Sequence, residues 1–298
     1  MEYGAHLPLV EPRTLADLTA YARRAAALDF HFLCANDHLL FGRPWLDGPT
    51  ALAATLEASA GMTIATTIAL PVIRGPVQTA KLLAALDRLS DGRLVAGVGP
   101  GSSPRDYAAV GIPFEQRWGR FDESIRALRA LLSEAAEEFT GTFYSTAGIT
   151  LEPRPARPAG PPIWVASWGS AAGLRRVARL GDGWLASAYN TTPAAFGERV
   201  AALPQGFPNG ISTMWLYVTE SEPEADRVLE DVLAPMLGRP VEALRELSLP
   251  IGPAELCAER ISAFAEAGAE RVFVWPLADD LRQLEAFREH VVPRVTSD

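Results

Sequence analysis

An aspartate and a histidine stand side by side after a short apolar run, at Asp37 and His38 in FHFLCANDHLL. Histidine accepts or donates a proton near neutral pH, and a carboxylate either shares that work or orients the histidine. If the run is an extended strand, His38 shares a face with Cys34 while Asp37 points elsewhere. The pair is a candidate for acid–base catalysis. The alternative is that Asp37 is a hydrogen-bonding loop residue and that His38 only fills space.

A second candidate is an anion site at ASWGS, residues 166–170, where an apolar run leads directly into a helical pattern. Free backbone N–H groups at a helix start attract anions, and glycine lets a ligand approach the backbone. Ser167 and Ser170 add hydroxyl groups on either side of Gly169. The alternative is that Ser170 only caps the helix.

Other kinds of site lack the residues they need. Predicted strand ends offer His6, Asp37 and His38, which are too few for a two-metal hydrolase, so we predict no metal site. GVGPG is not a dinucleotide fingerprint, because Pro104 stands where the third glycine would be. A nucleophile elbow of the form G-x-S-x-G does not occur in the sequence.

Composition narrows the class of partner. The net charge of -9 and the pI of about 5.1 disfavour nucleic acid and anionic membranes. Apolar runs fall short of the ~20 residues of a membrane span, and MEYGAHLPLV does not read as a signal peptide. The two cysteines lie in patterns that indicate buried, reduced thiols. We therefore expect a cytoplasmic protein that acts on a small molecule, without nucleic-acid or membrane partners.

Strand and helix patterns alternate along the whole chain. The apolar runs read EYGAHLPLV, FHFLCAN, IATTIALP, RLVAGVG, IWVAS, GWLASA, ISTMWLYVT and RVFVWPL. Near-continuous apolar strands indicate burial on both faces, and strand–helix repetition requires a parallel sheet. Eight units favour closure, so we predict a (β/α)8 TIM barrel, with an open doubly wound sheet as the alternative. The barrel forms a single domain over 1–298 with an insertion at about 138–162.

In such a barrel the loops after the strands gather at one face. The candidate residues follow predicted strands, and Trp45, Trp168 and Trp275 lie near those ends. A mostly apolar mouth with a few polar groups suits a flat organic ligand.

Several longer motifs carry a family resemblance. They are NDHLL, LPVIRGPVQTAKLLAALDRLSDGRLVAGVGPG, GIPFEQRWGRFDESIRALRALL, PPIWVAS and ARLGDGWLASA. In this order, up to about residue 190, they resemble the bacterial-luciferase-like flavin and deazaflavin oxidoreductases. The resemblance implies a luciferase-like barrel with insertions, a flavin- or deazaflavin-dependent enzyme, and often a homodimer.

The resemblance also implies roles for individual residues. Asp37 and His38 match a ring-contacting aspartate and an active-site histidine, both expected to be catalytic. Thr67–Ile68 matches a bulge with a cis peptide that backs the flat ring. The expected cofactor-binding residues are His6, Asp37, Thr67, Ile68, Gly99, Pro100, Gly101, Ser102, Arg105, Ala166, Ser167, Trp168, Gly169 and Ser170.

Three positions depart from the sugar-phosphate dehydrogenase branch of that family. Ser102 stands where that branch has a catalytic glutamate, which argues against its reaction. Pro100 replaces a hydroxyl residue, and Arg105 replaces an asparagine. A cation at Arg105 or at Arg74 suits an anionic cofactor tail, unless it is only a solvated surface arginine.

We therefore predict hydride transfer between coenzyme F-420, a deazaflavin, and a small organic substrate, with His38 moving the matching proton. An FMN-dependent monooxygenase is the alternative. It would use oxygen and reduced flavin from a separate flavin reductase, and it shares the same ring-binding parts. A non-catalytic flavin-binding relative is a third reading. The sequence leaves the substrate open.

Overall fold

The computed structural model describes residues 1–11 and 13–296, so residues 12, 297 and 298 of the predicted domain lie outside it. Its strands are β1 (Glu2–His6), β2 (Phe32–Ala35), β3 (Thr63–Ala69), β4 (Leu94–Val98), β5 (Ile163–Ala166), β6 (Gly183–Ser187), β7 (Asn209–Val218), β8 (Ile251–Gly252) and β9 (Arg271–Pro276). Strands β1 to β7 pair in sequence order and in parallel, β9 pairs with both β7 and β1, and β6 pairs with β7. This closed parallel ring confirms the predicted (β/α)8 barrel.

Helices follow the strands and pack around the ring. They are α1 (Leu15–Ala27), α2 (Gly48–Thr55), α3 (Pro71–Arg74), α4 (Pro76–Leu89), α5 (Pro104–Ala109), α6 (Arg117–Leu132), α7 (Ala171–Leu180), α8 (Pro193–Ala201), α9 (Glu222–Arg227), α10 (Ala234–Leu237), α11 (Val241–Arg245), α12 (Ala254–Glu266) and α13 (Asp280–Ala286). Short side chains start several of them: the Thr14 hydroxyl accepts the Asp17 N–H while the Asp17 carboxylate accepts the Thr14 N–H. Within the described residues, no helix combines the length and apolar character that crossing a membrane requires.

The structure adds one strand that the sequence patterns did not indicate. Strand β8 has two residues and pairs only with β7, outside the ring. Two residues are too short to show a strand periodicity, so the pattern reads as a loop. The segment between β7 and β8 also holds a π-helical stretch at Val228–Leu233, between α9 and α10.

The lower half of the barrel interior is a separate apolar cluster. It consists of Phe32, Cys34, Ala65, Trp164, Leu185 and Phe273. The Phe273 ring fits there because Gly4, on neighbouring β1, has no side chain. A Cβ at Gly4 would lie 2.4 Å from that ring. The floor is therefore filled, and only the upper mouth is left for a ligand.

The segment between α6 and β5, residues 133–162, is anchored at two points. The Glu123 carboxylate accepts three backbone N–H groups from the tip at residues 142–144, with Phe143 N at 2.6 Å. Further along, the buried Asp87 carboxylate accepts the Ala156 N–H at 3.0 Å and pairs with Arg157. The segment is thus fixed against α6 and α4.

Candidate active site

Aromatic rings wall one half of the barrel mouth. The ring of His6, at the end of β1, stacks on Trp275 with centroids 3.3 Å apart, and Trp275 stacks on Trp215 at 4.1 Å. Trp45 meets Trp275 edge-on at 5.6 Å. The loop that carries Trp45 is held by β-type pairing of Val10 with Trp45. These rings make a dry wall over β1, β9 and β7.

His6 contributes its ring to this wall and has no free nitrogen. Its Nδ1–H donates to the Leu7 carbonyl at 2.8 Å, and its Nε2 accepts the Asn36 N–H at 3.0 Å. Burial lowers the pKa of His6 to about 3, and the charge of nearby His38 also lowers it. The hydrogen bond to Leu7 acts in the opposite direction and raises this pKa, but by less than burial lowers it. The ring is therefore neutral and structural. The predicted cofactor contact at His6 can only be a contact with its ring or backbone.

The other half of the mouth, over β3 to β5, is lined by small groups and backbone. The peptide bond Thr67–Ile68 is cis, and the pairing of β3 with β4 shifts register between Thr66 and Ala69, as the resemblance implies. The Ile68 side chain lies over Gly99, where a Cβ would be 2.0 Å from its Cδ1. Ile68, Pro100, Gly101 and Ala166 are partly exposed here, and with Thr67 and Gly99 they form what we call the shelf, the candidate support for a flat ring.

The turn after β4 points its two predicted polar residues outward. Ser102 and Arg105 are exposed, whereas neighbouring Asp106 is 2% exposed and accepts the Leu40 N–H at 3.0 Å. Sequence reasoning chose Arg105 and missed Asp106. A capping-box signal was present, since Ser103 caps α5 and Asp106 is the third residue after it.

Asp37 is tied to Arg74. The guanidinium donates to both carboxylate oxygens at 2.7 Å, and the Leu70 N–H donates at 3.3 Å. Arg74 also pairs with Asp47, and its hydrogen bonds to Asp37, more than those to Asp47, raise the pKa of Arg74. The pair joins β2 to the end of β3. Its geometry makes Asp37 an anchor of the site and leaves Arg74 engaged inside the fold.

His38 points into the mouth, away from that pair. Its ring contacts Phe41 at 4.7 Å and Trp45 at 5.0 Å between centroids. Burial lowers the pKa of His38, and the carboxylates of Asp106 and Asp37 partly oppose this. His38 is therefore largely neutral at pH 7 and is able to accept a proton.

Four buried polar atoms around this mouth have no hydrogen-bond partner among the described residues. They are Asn36 Oδ1, Trp45 Nε1, Thr67 Oγ1 and Trp215 Nε1. Leaving a buried donor or acceptor unpaired costs ~1–3 kcal/mol each, so such groups are rare without a reason. Asn36 precedes His38 by two residues, Trp45 packs against the His38 ring, and Trp215 stacks in the aromatic wall, so the unpaired atoms surround the mouth but are themselves buried. Asn36 had no sequence signal beyond its place after β2, and Trp215 had none beyond its place in an apolar strand.

The ASWGS turn and α8 meet at the corner where the sequence predicts an anion site. Ser170 caps α7 by accepting the Gly173 N–H at 3.1 Å, and Ser167 accepts the Gly169 N–H at 3.1 Å. Gly169 has φ 87. A Cβ at this position would lie 2.4 Å from Nε of Arg199, so the guanidinium packs directly against the glycine. Trp168 turns outward and is 57% exposed. Arg199 comes from a later helix, so sequence reasoning missed it.

Several known proteins are similar to this chain in sequence. A family model described as luciferase-like monooxygenase matches residues 3–209. The F-420-dependent glucose-6-phosphate dehydrogenase of Intrasporangium calvum is 32% identical over 215 residues, which cover 68% of this chain and 62% of that protein. The matched part of the chain thus spans less than two thirds of that relative.

Solved structures show the same fold over nearly the whole chain. The monooxygenase RslO1 from Streptomyces bottropensis superposes with a TM-score of 0.83 at 23% identity, covering 98% of this chain and 99% of that one. An F-420-dependent secondary alcohol dehydrogenase, solved with an F-420–acetone adduct, gives 0.84 at 19% identity and covers 99% of both chains. The family match spans more than half of the chain and the fold agrees throughout. The chain belongs to the luciferase-like monooxygenase family.

Proposed function

We propose that this protein is an oxidoreductase that transfers hydride between coenzyme F-420 and a small organic substrate. The observation that carries the proposal is a neutral His38 packed against Trp45 in the apolar mouth above the bulged end of β3. The likeness to an F-420-dependent curated relative favours this cofactor over FMN.

The residues present fit such a cofactor. The shelf at Thr67–Ile68 and Gly99–Gly101 would support its flat ring, and the first turn of α7 with Arg199 would hold its phosphate. When bound, the cofactor supplies the carbon that gives or takes the hydride. The shelf is lined by glycine and other small residues, whose backbone a flat ring can approach closely.

The chain's own residues then handle the proton and the substrate oxygen. Neutral His38 accepts the proton of a substrate hydroxyl, or returns it to a carbonyl oxygen in the reverse direction. The Trp45 ring packs edge-on against the His38 ring, with centroids 5.0 Å apart, and holds the imidazole in place beside the substrate oxygen. The stacked rings of His6 and Trp275 keep water from this side. Asp37, held by Arg74, fixes the loop that carries His38.

The substrate is a small molecule. Ser102 offers a hydroxyl, exposed to solvent, where the sugar-phosphate branch has a catalytic acid, so that branch's reaction is not the one proposed. We also propose a homodimer in the cytoplasm, on the family resemblance and on the buried free thiols Cys34 and Cys257.

The test begins with the cofactor. The purified protein is titrated with oxidised F-420 and with FMN, and binding is followed by fluorescence. Binding of FMN with none of F-420 would overturn the proposal in favour of the FMN-dependent monooxygenase, which would then need a separate flavin reductase. The monooxygenase RslO1 shares this fold, so the fold is compatible with the alternative as well.

The second step tests the proton carrier. We expect His38→Ala to lower turnover ~10²-fold or more while the cofactor affinity stays the same, because His38 moves a proton and does not hold the cofactor. The exposed His290→Ala variant is the matched control and should behave as the wild type. Unchanged turnover in His38→Ala removes His38 from the mechanism. Cofactor binding without turnover of any alcohol or ketone by the wild type supports the non-catalytic reading.

A further inference from the structure

The side of the mouth over the end of β6 and the bulge of β7 at Thr213 is polar, unlike the aromatic wall and the small-residue shelf. Four side chains form a connected set, which we call the rim network: Ser187, Asn190, Thr213 and Arg239. The Ser187 hydroxyl lies 2.9 Å from that of Thr213, and Asn190 Nδ2 donates to Ser187 at 3.2 Å. Arg239 Nη2 donates in turn to Asn190 Oδ1 at 2.9 Å.

The backbone of β7 is distorted to place this network. Thr213 has φ 55, a left-handed conformation that is unusual for a β-branched residue, and the pairing of β7 with β9 shifts between Ile211 and Met214. Such bulges occur next to active sites, where they re-aim a side chain. Here the bulge brings the Thr213 hydroxyl against Ser187, at the carboxyl end of β6. The strained residue therefore serves the mouth and not the barrel wall.

Arg239 is fixed in place without a carboxylate. Its Nη1 donates to the Tyr189 carbonyl at 2.8 Å, and its guanidinium lies 4.9 Å from the Tyr189 ring centroid. No acidic group among the described residues pairs with it, although the chain has 36 acidic residues. Arg74 and Arg157, which are also partly buried, both pair with carboxylates. Two of its five N–H groups are used on neutral acceptors, so Arg239 is preorganised and keeps its charge uncompensated.

We propose that the rim network is a substrate subsite for an oxyanion, a carboxylate or a phosphate ester, and that Arg239 supplies its charge. A planar guanidinium matches both groups through paired N–H donors. Ser187 and Thr213 receive the neutral oxygens of the same substrate nearer the barrel axis. This inference rests on the proposed function, since it identifies the far end of the substrate whose reacting carbon lies beside His38.

The test uses matched pairs of carbonyl compounds that differ in an anionic group. The pairs are 4-oxopentanoate with 2-pentanone, and dihydroxyacetone phosphate with dihydroxyacetone. Binding is measured on protein loaded with whichever cofactor it takes, from the change in cofactor absorbance. We expect the wild type to bind at least one anionic member ~10- to 100-fold more tightly than its neutral partner. The arm that shows the preference tells carboxylate from phosphate.

Two variants assign the preference to Arg239. Arg239→Gln should abolish it, and Asn190→Asp should do so with the arginine still present, because the new carboxylate compensates the guanidinium. The control is Arg245→Gln, an exposed arginine of α11 that pairs with Asp226. Neutral members and the cofactor should bind all variants as they bind the wild type, which excludes a loosened fold.

Equal affinity within both pairs, or binding of neither anionic member, overturns the proposal. So does a preference that survives in Arg239→Gln. Because binding is read without turnover and on either cofactor, these outcomes differ from a failure of the proposed hydride transfer. That failure would show as absent F-420 binding or absent turnover.

Discussion

Removing Arg74 should destabilise the protein far more than removing an arginine from an equally short ion pair at the surface. The Arg74–Asp37 contact is 2.7 Å, with the two side chains 27% and 3% exposed. The Arg24–Glu285 contact is also 2.7 Å and also uses Nε, but its side chains are 40% and 39% exposed. The two pairs share the distance and the Nε donor and differ in burial; Arg74 also makes a second bond to Asp37 and pairs with Asp47.

The magnitude follows from that difference. Arg74→Met leaves the Asp37 carboxylate buried with only the Leu70 N–H, and stranding a buried charge costs ~3–5 kcal/mol. Arg24→Met removes a solvated pair worth ~0.2–1 kcal/mol. An unfolding entropy of ~2.1 cal/mol/K per residue over 298 residues gives ~0.6 kcal/mol/K. The expected loss in Tm is therefore ~5–8 °C for Arg74→Met and at most ~2 °C for Arg24→Met.

Thermal unfolding of both variants, followed by circular dichroism at pH 7, measures the contrast. The double variant Asp37→Asn with Arg74→Met should recover a large part of the lost Tm, because it removes the stranded charge and keeps an acceptor for the Leu70 N–H. Equal shifts in Arg74→Met and Arg24→Met would refute the reasoning. So would a double variant that is no more stable than Arg74→Met, since the loss would then come from packing.

Two further predictions concern the mouth. In the direction of alcohol oxidation, kcat/KM should rise with pH along a limb centred below 6.5, because burial lowers the pKa of the His38 base. Asp106→Asn removes a charge that raises this pKa, so the variant should have its limb at lower pH. A limb at the same pH as in the wild type would contradict the assignment of His38 as the base. Gly99→Ala displaces only the flexible end of Ile68, so it should weaken cofactor binding ~10-fold with little loss of stability. In Gly48→Ala the new Cβ would lie 1.8 Å from a backbone oxygen, so this variant should lower Tm by several degrees. Fluorescence titration and thermal unfolding of the two alanine variants distinguish these outcomes; equal losses of stability would contradict the contrast.

Much of the fold was predictable because its signals are local. Apolar runs, turn glycines and prolines, and helical spacing repeat along the chain, and strand–helix alternation with eight units leaves few arrangements. The exceptions were elements too short for periodicity, such as β8 and α5. A helix of six residues or a strand of two is set by its tertiary contacts and not by its own pattern.

In the candidate site, too, some features follow from local sequence patterns and others depend on tertiary contacts. Alternation along β2 already separates Asp37 from His38, and the structure gives them different surroundings, Arg74 for one and the aromatic mouth for the other. Asp106 stands beside a more conspicuous Arg105. Only its burial and its bond to the Leu40 N–H mark it as part of the mouth.

The sequence by itself determined the order of strands and the strand ends at which chemistry collects, while the bulge at the shelf was expected only from the family resemblance. It could do so because backbone preference and hydrophobic period are properties of neighbouring residues. Only the tertiary structure decided which distant groups meet: Arg74 with Asp37, Arg199 with Gly169, and Arg239 with Asn190. Closing the barrel brings together side chains that lie 30 to 49 residues apart, and whether a charge is paired or left for a ligand depends on that closure alone.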